Sequence, residues 1–177
     1  MELRNLCAEE DRWRALSSWG PEPPAPPGTS WRALMRRALR LAGRAARMGE
    51  VPVGALVVDS EGNVLSSAHN ETESLRDPTA HAEVLALRRA SAVVGNHRLG
   101  GSVLVVTLEP CLMCAGALRE ARVSGVVFGA SDARAGAVCS CLEGLDYART
   151  GGAPWSYGGV EAEDCARLLR AFFRERR

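Results

Sequence analysis

The 177-residue chain contains no lysine, no isoleucine and no glutamine, so arginine supplies all 22 of its basic side chains. Set beside the abundance of Arg, Ala, Gly, Val and Leu, these absences reflect a GC-rich coding sequence and exclude no activity. A long apolar run is missing as well. Charges interrupt residues 1–20 every few positions, which leaves neither the apolar region of a secretory signal nor a membrane span, so the reducing cytoplasm is the expected compartment and no membrane partner is expected. The formal net charge is only +1, too small to argue for a polyanionic partner by itself. Six cysteines could suggest a disulfide framework, but the chain exceeds the small secreted domains that need one.

What is present is an ordinary globular balance, 46% hydrophobic and 24% charged, in a length that favours one domain. The charge is unevenly spread. Residues 1–30 hold three Arg and five acids, residues 31–177 hold 19 Arg and 16 acids, and the last eleven residues alone carry five Arg and one Glu. The expected division is an extension over 1–29, disordered, followed by a domain over 30–177. Within the extension, residues 3–19 have the pattern of a weak amphipathic helix with Leu6, Trp13 and Leu16 on its apolar side, and PEPPAPPG at 21–28 reads as a polyproline II linker.

Thr29 or Ser30 can cap a first helix in which Leu34, Ala38, Leu41, Ala45 and Met48 recur at helical spacing, with Gly49 as its stop. Strands are expected over 53–58 and 64–68, joined by the turn Ser60-Glu61-Gly62-Asn63. A polar loop over 69–79 precedes a helix over 82–93, a buried strand over 102–107, a helix over 111–121 and a strand over 123–128. Strand–helix–strand alternation predicts crossover connections and an α/β fold, a three-layer α/β/α sandwich around a mixed sheet of about five strands. Residues 129–159 are rich in Gly, Ala and Ser without a sustained period and read as loop, with a brief strand at 158–160 before a terminal helix over 163–176.

Two segments carry the chemistry, DPTAHAEVLAL at 77–87 and TLEPCLMCAGAL at 107–118. Cys111-Leu-Met-Cys114 sets two sulfurs one helical turn apart, a spacing that serves zinc or redox duty alike. A redox dithiol needs no His or Glu beside it, whereas here His81-Ala-Glu83 opens an earlier helix. If the two helices are neighbours, their N-termini face one point, where backbone N–H groups favour the thiolates zinc requires. Three ligands, His81, Cys111 and Cys114, leave a fourth tetrahedral position for water, whose pKa zinc lowers. Glu83 is placed to reach that water and carry its proton. A structural zinc site would need a fourth protein ligand, for which His69, His97, Cys139 and Cys141 are available; the intervening Glu favours the catalytic reading. Otherwise His69 and His97 read as loop histidines, and Cys7, Cys139, Cys141 and Cys165 as small core side chains or free thiols.

His81-Ala-Glu83 followed by Pro110-Cys111-x-x-Cys114 resembles the zinc nucleoside and base deaminases of the cytidine deaminase superfamily. With EVPVGA (50–55), DPTAHAE (77–83), TLEPCLMCAGAL and VVFGASD (126–132), the chain looks like the bacterial tRNA-specific adenosine deaminases over some four-fifths of its length. That resemblance implies hydrolytic deamination of adenosine to inosine at the wobble position of an arginine tRNA, with the anticodon stem-loop as partner. It implies one zinc on His81, Cys111 and Cys114, Glu83 as proton shuttle, no organic cofactor, and a homodimer. By the same resemblance Asn70 contacts the flipped nucleotide, and Asp132, Phe173 and Arg174 touch the anticodon loop. Residues 1–30 and 138–159 depart from the family pattern. The alternatives are a free base or nucleoside deaminase of guanine or cytosine type, and a non-catalytic zinc or RNA-binding subunit, against which Glu83 speaks.

Overall fold

The structure, a computed structural model, describes residues 20–146 and 153–176. The helix expected over 3–19 lies outside the described residues. From residue 21 the proline-rich segment is laid on the domain: the Trp31 indole donates to the Pro23 carbonyl at 2.8 Å, and Ala25 packs against a core cluster. Ser30 then caps α1 (Trp31–Arg47), its hydroxyl accepting from the Ala33 N–H at 3.2 Å.

A five-stranded sheet follows in the order β2-β1-β3-β4-β5. Strands β1 (Gly54–Val58) and β2 (Val64–His69) form an antiparallel hairpin, and β1 also pairs antiparallel with β3 (Val103–Leu108). Strands β3, β4 (Gly125–Ala130) and β5 (Trp155–Tyr157) are parallel. Every residue of β1 and β4 is buried, because both faces of the sheet are covered. On one face Ala55, Leu104, Val106, Val126 and Phe128 meet α3 (Ala82–Val94) and α4 (Leu112–Glu120). On the other Leu56, Val103, Val105 and Val127 meet α1 and α5 (Ala162–Arg174). The result is the expected mixed-sheet α/β/α sandwich.

Two local expectations are corrected. The last strand is β5, over Trp155–Tyr157, in place of residues 158–160. Residues 159 and 160 still reach β4 through the bonds Gly159 N–H to Gly129 O and Val160 N–H to Phe128 O, but Gly159 turns at φ 87° and ends the strand. The Trp155 ring lies over Gly125, where a Cβ would come within 2.2 Å of it, and meets Trp31 edge-on at 5.9 Å. Second, the polar loop after β2 contains a one-turn helix, α2 (Thr72–Leu75), whose cap comes from far upstream in the chain.

Candidate active site

The site lies at the carboxyl ends of the parallel strands β3 and β4, where open α/β sheets place their ligands. β3 leads through Glu109-Pro110 into Cys111, and β2 leads through Asn70 and the α2 loop to His81. His81 and Cys111 are the N-cap residues of α3 and α4, both with extended backbone and neither capping its own helix with its side chain. The two side chains turn toward each other instead. His81 Nδ1 lies 3.7 Å from Cys111 Sγ and 3.5 Å from Cys114 Sγ, and the three ligand atoms all lie within 4.8 Å of one another. Zinc bonded at about 2.3 Å to sulfur and about 2.0 Å to imidazole nitrogen holds such atoms about 3.6 Å apart in a tetrahedron, so these residues fit the ion and form the Cys₂His set of an open catalytic site. No fourth protein ligand joins them among the described residues, and His69, His97, Cys139 and Cys141 stand outside the group.

The electrostatics follow from burial and from the shared corner. A hydrogen bond from the Cys114 thiol, aided by His81, holds Cys111 as a thiolate down to about 4. The same bond, with burial, pushes Cys114 up. His81 is raised chiefly by its hydrogen bond to Cys111. Metal binding must therefore displace a proton from this pair. Glu83, in the first turn of α3 and only 4% exposed, has its carboxyl raised by burial, the shift that lets a carboxyl accept and return a proton near neutral pH.

Two loops frame this corner, and each hangs on a buried glutamate. The Glu50 carboxylate accepts from the Glu73 and Ser74 N–H groups and from the Thr72 and Ser74 hydroxyls, at 2.7 to 3.1 Å, and so caps α2. Burial alone would raise Glu50, but these donors outweigh it and lower its pKa below the ordinary 4.5. Glu109 accepts from the N–H groups of Asp132, Val138, Cys139 and Ser140 at 2.9 to 3.1 Å and from the Ser140 hydroxyl. That fan of donors gathers residues 132–140 around the start of α4, where Ala137 N–H also bonds Pro110 O at 2.8 Å. Gly136 passes so close that a Cβ there would lie 2.3 Å from Glu109 Oε2.

Among the residues implicated by resemblance, Asn70 is buried beside the ligands. Its Oδ1 accepts from Ala82 N–H at 2.9 Å and caps α3 in the place of His81. Asp132 closes the turn after β4 by accepting from Arg134 N–H at 2.9 Å and Ala135 N–H at 3.3 Å. Phe173 and Arg174 lie at the end of α5, on the face of the sheet opposite α3 and α4; Phe173 stacks edge-on with Phe172 at 5.3 Å. Cys165, against Gly129, is a core side chain whose thiol burial pushes up to about 12. Sequence reasoning passed over Glu50 and Glu109 as loop anchors. The available signal was an acid set directly beside an apolar segment, Glu50 before Val51-Pro52-Val53 and Glu109 after the apolar strand.

A Cys₂His set at the mouth of an open sheet, backed by a protonatable carboxyl, is the equipment of hydrolytic deamination at zinc, and the chain belongs to the cytidine and deoxycytidylate deaminase family, whose zinc-binding region its residues 29–130 match. Its relatives include tRNA-modifying enzymes. It is 44% identical over 144 residues to the tRNA-specific adenosine deaminase of Haemophilus influenzae, covering 81% of this chain and 83% of that protein. A solved structure of a tRNA:A34 deaminase, studied for A-to-I editing at the wobble position of transfer RNA, superposes with a TM-score of 0.74 at 40% identity over 77% of this chain and 98% of that one. The chain is also 48% identical over 143 residues to a tRNA(Ile)-lysidine synthase of Deinococcus deserti, of which it spans 27%.

Proposed function

We propose that this protein hydrolyses adenosine to inosine at the wobble position of a tRNA anticodon, with an arginine tRNA as its substrate. The observation that carries the reading is the buried Glu83 beside the three-ligand corner, in a chain whose relatives are named for tRNA adenosine deamination. When bound, zinc supplies Lewis acidity that makes water a nucleophile near neutral pH. Glu83 would accept one proton from the attacking water and pass it to the ring nitrogen beside the reacting carbon, then carry the remaining hydroxyl proton to the exocyclic nitrogen, so that the C–N bond breaks, ammonia leaves and the ring keeps the oxygen as a carbonyl. Asn70, whose Oδ1 is held by Ala82 N–H, keeps its amide N–H₂ for the flipped nucleotide. Asp132, in the turn after β4, and Phe173 and Arg174, at the end of α5, meet the anticodon loop.

We further read the active form as a homodimer. The outer face of α3 and α4 exposes Leu112 and Met113 and forms a groove of about 510 Å³ lined by Val84, Leu87, Ala117 and Ala121 with Arg88, Ser91, His97 and Glu120 among them. A face that mixes exposed apolar side chains with charges of both signs suits a second copy of the chain.

The test is direct. Zinc-loaded protein is incubated with an arginine tRNA carrying a wobble adenosine, in competition with free adenosine, guanine and cytosine. Inosine in the tRNA alone is expected. Turnover of a free base, with the tRNA untouched, would replace this reading by a base deaminase. Sedimentation of the same preparation at twice the chain mass checks the dimer.

A further inference from the structure

Six arginines of this fold are paired with carboxylates. Arg32 and Arg36 converge on Glu161 at 3.0 and 2.8 Å, Arg89 pairs with Glu71 at 2.8 Å, Arg88 reaches Asp77, and Arg167 and Arg170 pair with Asp164 and Glu163 on their own helix. Arg37, Arg40, Arg44 and Arg47 of α1 are different. All four are exposed, and together with Leu41 and Ser67 they line one groove of about 280 Å³ between α1 and the edge strand β2. Among the described residues no carboxylate pairs with any of them.

Their spacing of three, four and three residues puts them within an arc of about 80° on a helix of 3.6 residues per turn, in a row about 15 Å long. Like charges at such spacing each cost a few tenths of a kcal/mol. The usual remedy, a Glu four residues away, is missing: α1 contains no acid in its 17 residues. Arg44 and Arg47 gain something from the helix dipole at the C-terminal turn, but Arg37 and Arg40 lie too far from it. Folding thus gains little from the row as a whole.

The row leads to the active site. Two residues past its end, after Met48, lies Gly49, where a Cβ would meet the guanidinium of Arg176, just beyond α5, at 3.7 Å. Next comes Glu50, which holds the loop between Asn70 and His81. The two basic tracts of the fold, on α1 and on the end of α5, meet at that point.

We infer that the α1 groove is a phosphate rail on which the RNA backbone of the tRNA substrate lies beyond the anticodon. The inference rests on the proposed tRNA reading and adds a contact surface outside the pocket. Arginine suits it, because a guanidinium grips a phosphate with two parallel hydrogen bonds.

The test measures tRNA affinity of the zinc-loaded full chain from low to moderate salt, for wild type and for the variant Arg37→Gln/Arg40→Gln/Arg44→Gln/Arg47→Gln. Each lost phosphate contact reduces the slope of log K against log salt by roughly 0.7 to 0.9, so the variant slope should be shallower by about 3. Its thermal midpoint should not fall, since the four residues are exposed and mutually repulsive. An unchanged slope in the folded variant overturns the rail. An unchanged tRNA slope accompanied by lost binding to phosphatidylserine vesicles overturns it in favour of a lipid surface. A wild type that binds tRNA with the full slope but forms no inosine defeats the proposed activity while the slope difference still decides the rail. A wild type that binds no tRNA defeats both.

Discussion

The loops on the two sides of the metal corner are built on the same plan, and Glu83 between them is built on the opposite one. Glu50 and Glu109 are buried carboxylates surrounded by donors, four polar groups for Glu50 and six, the Cys139 thiol included, for Glu109. Glu83 is equally buried, but burial dominates and raises its pKa. A carboxylate ringed by donors holds backbone in place. One that is desolvated binds a proton more firmly than a free carboxyl does, and so can take one up near neutral pH and pass it on. The same side chain is thus a fastener in the two loops, while Glu83, where burial dominates, suits the carrier role proposed for it.

The contrast can be broken most sharply at Glu83. Glu83→Gln should lower kcat by a factor on the order of 10² to 10⁴, while metal analysis still finds one zinc per chain. An active variant, or one that has lost its zinc, would place Glu83 among the fasteners. Glu109→Gln should act the other way round. It replaces a charged acceptor facing four N–H groups and should cost about 1.5–3 kcal/mol in urea unfolding, the range for hydrogen bonds to a charged group. Gly136→Ala probes the same anchor sterically and should shift stability in the same direction, because the new Cβ would enter the space of Glu109 Oε2.

The smallest effect is expected at Glu50→Gln, about 1–2 kcal/mol, since the hydroxyl donors of Thr72 and Ser74 can turn to serve the amide oxygen. Its pH dependence gives the sign of the effect. The native pKa of Glu50 lies below 4.5, so its contribution is fully present above that value and fades as the pH falls through the native pKa. The stability gap between wild type and Glu50→Gln should therefore close below pH 4.5. A gap that persists into stronger acid would show that the carboxylate charge is not what holds α2.

The same contrast explains how far the sequence could be read. The meeting of His81, Cys111 and Cys114 is legible because it is local: two short motifs, each opening a helix, fix which residue types come together. The strands were legible because Val-rich runs buried on both faces leave little ambiguity. What escaped was non-local. Nothing near Thr72–Leu75 announces a helix, because its cap is the carboxylate of Glu50, 22 residues upstream of Thr72 and known only once the chain has folded back. Likewise the Gly-rich segment after β4 has no period of its own, and it takes its shape from Glu109 in the preceding strand–helix junction. β5 was misplaced by three residues because its position depends on Trp155 finding the bare surface of Gly125.

The four arginines along α1 also settle how that surface behaves in a living cell. A row of lysines could be tuned, since lysine loses its charge on acetylation and shifts its pKa when partly buried. Guanidinium groups keep their charge across every physiological pH, and a chain without a single lysine offers acetylation no side-chain amine. The charge that the proposed rail offers to RNA therefore answers to ionic strength or to a competing polyanion, and not to pH or to lysine acetylation.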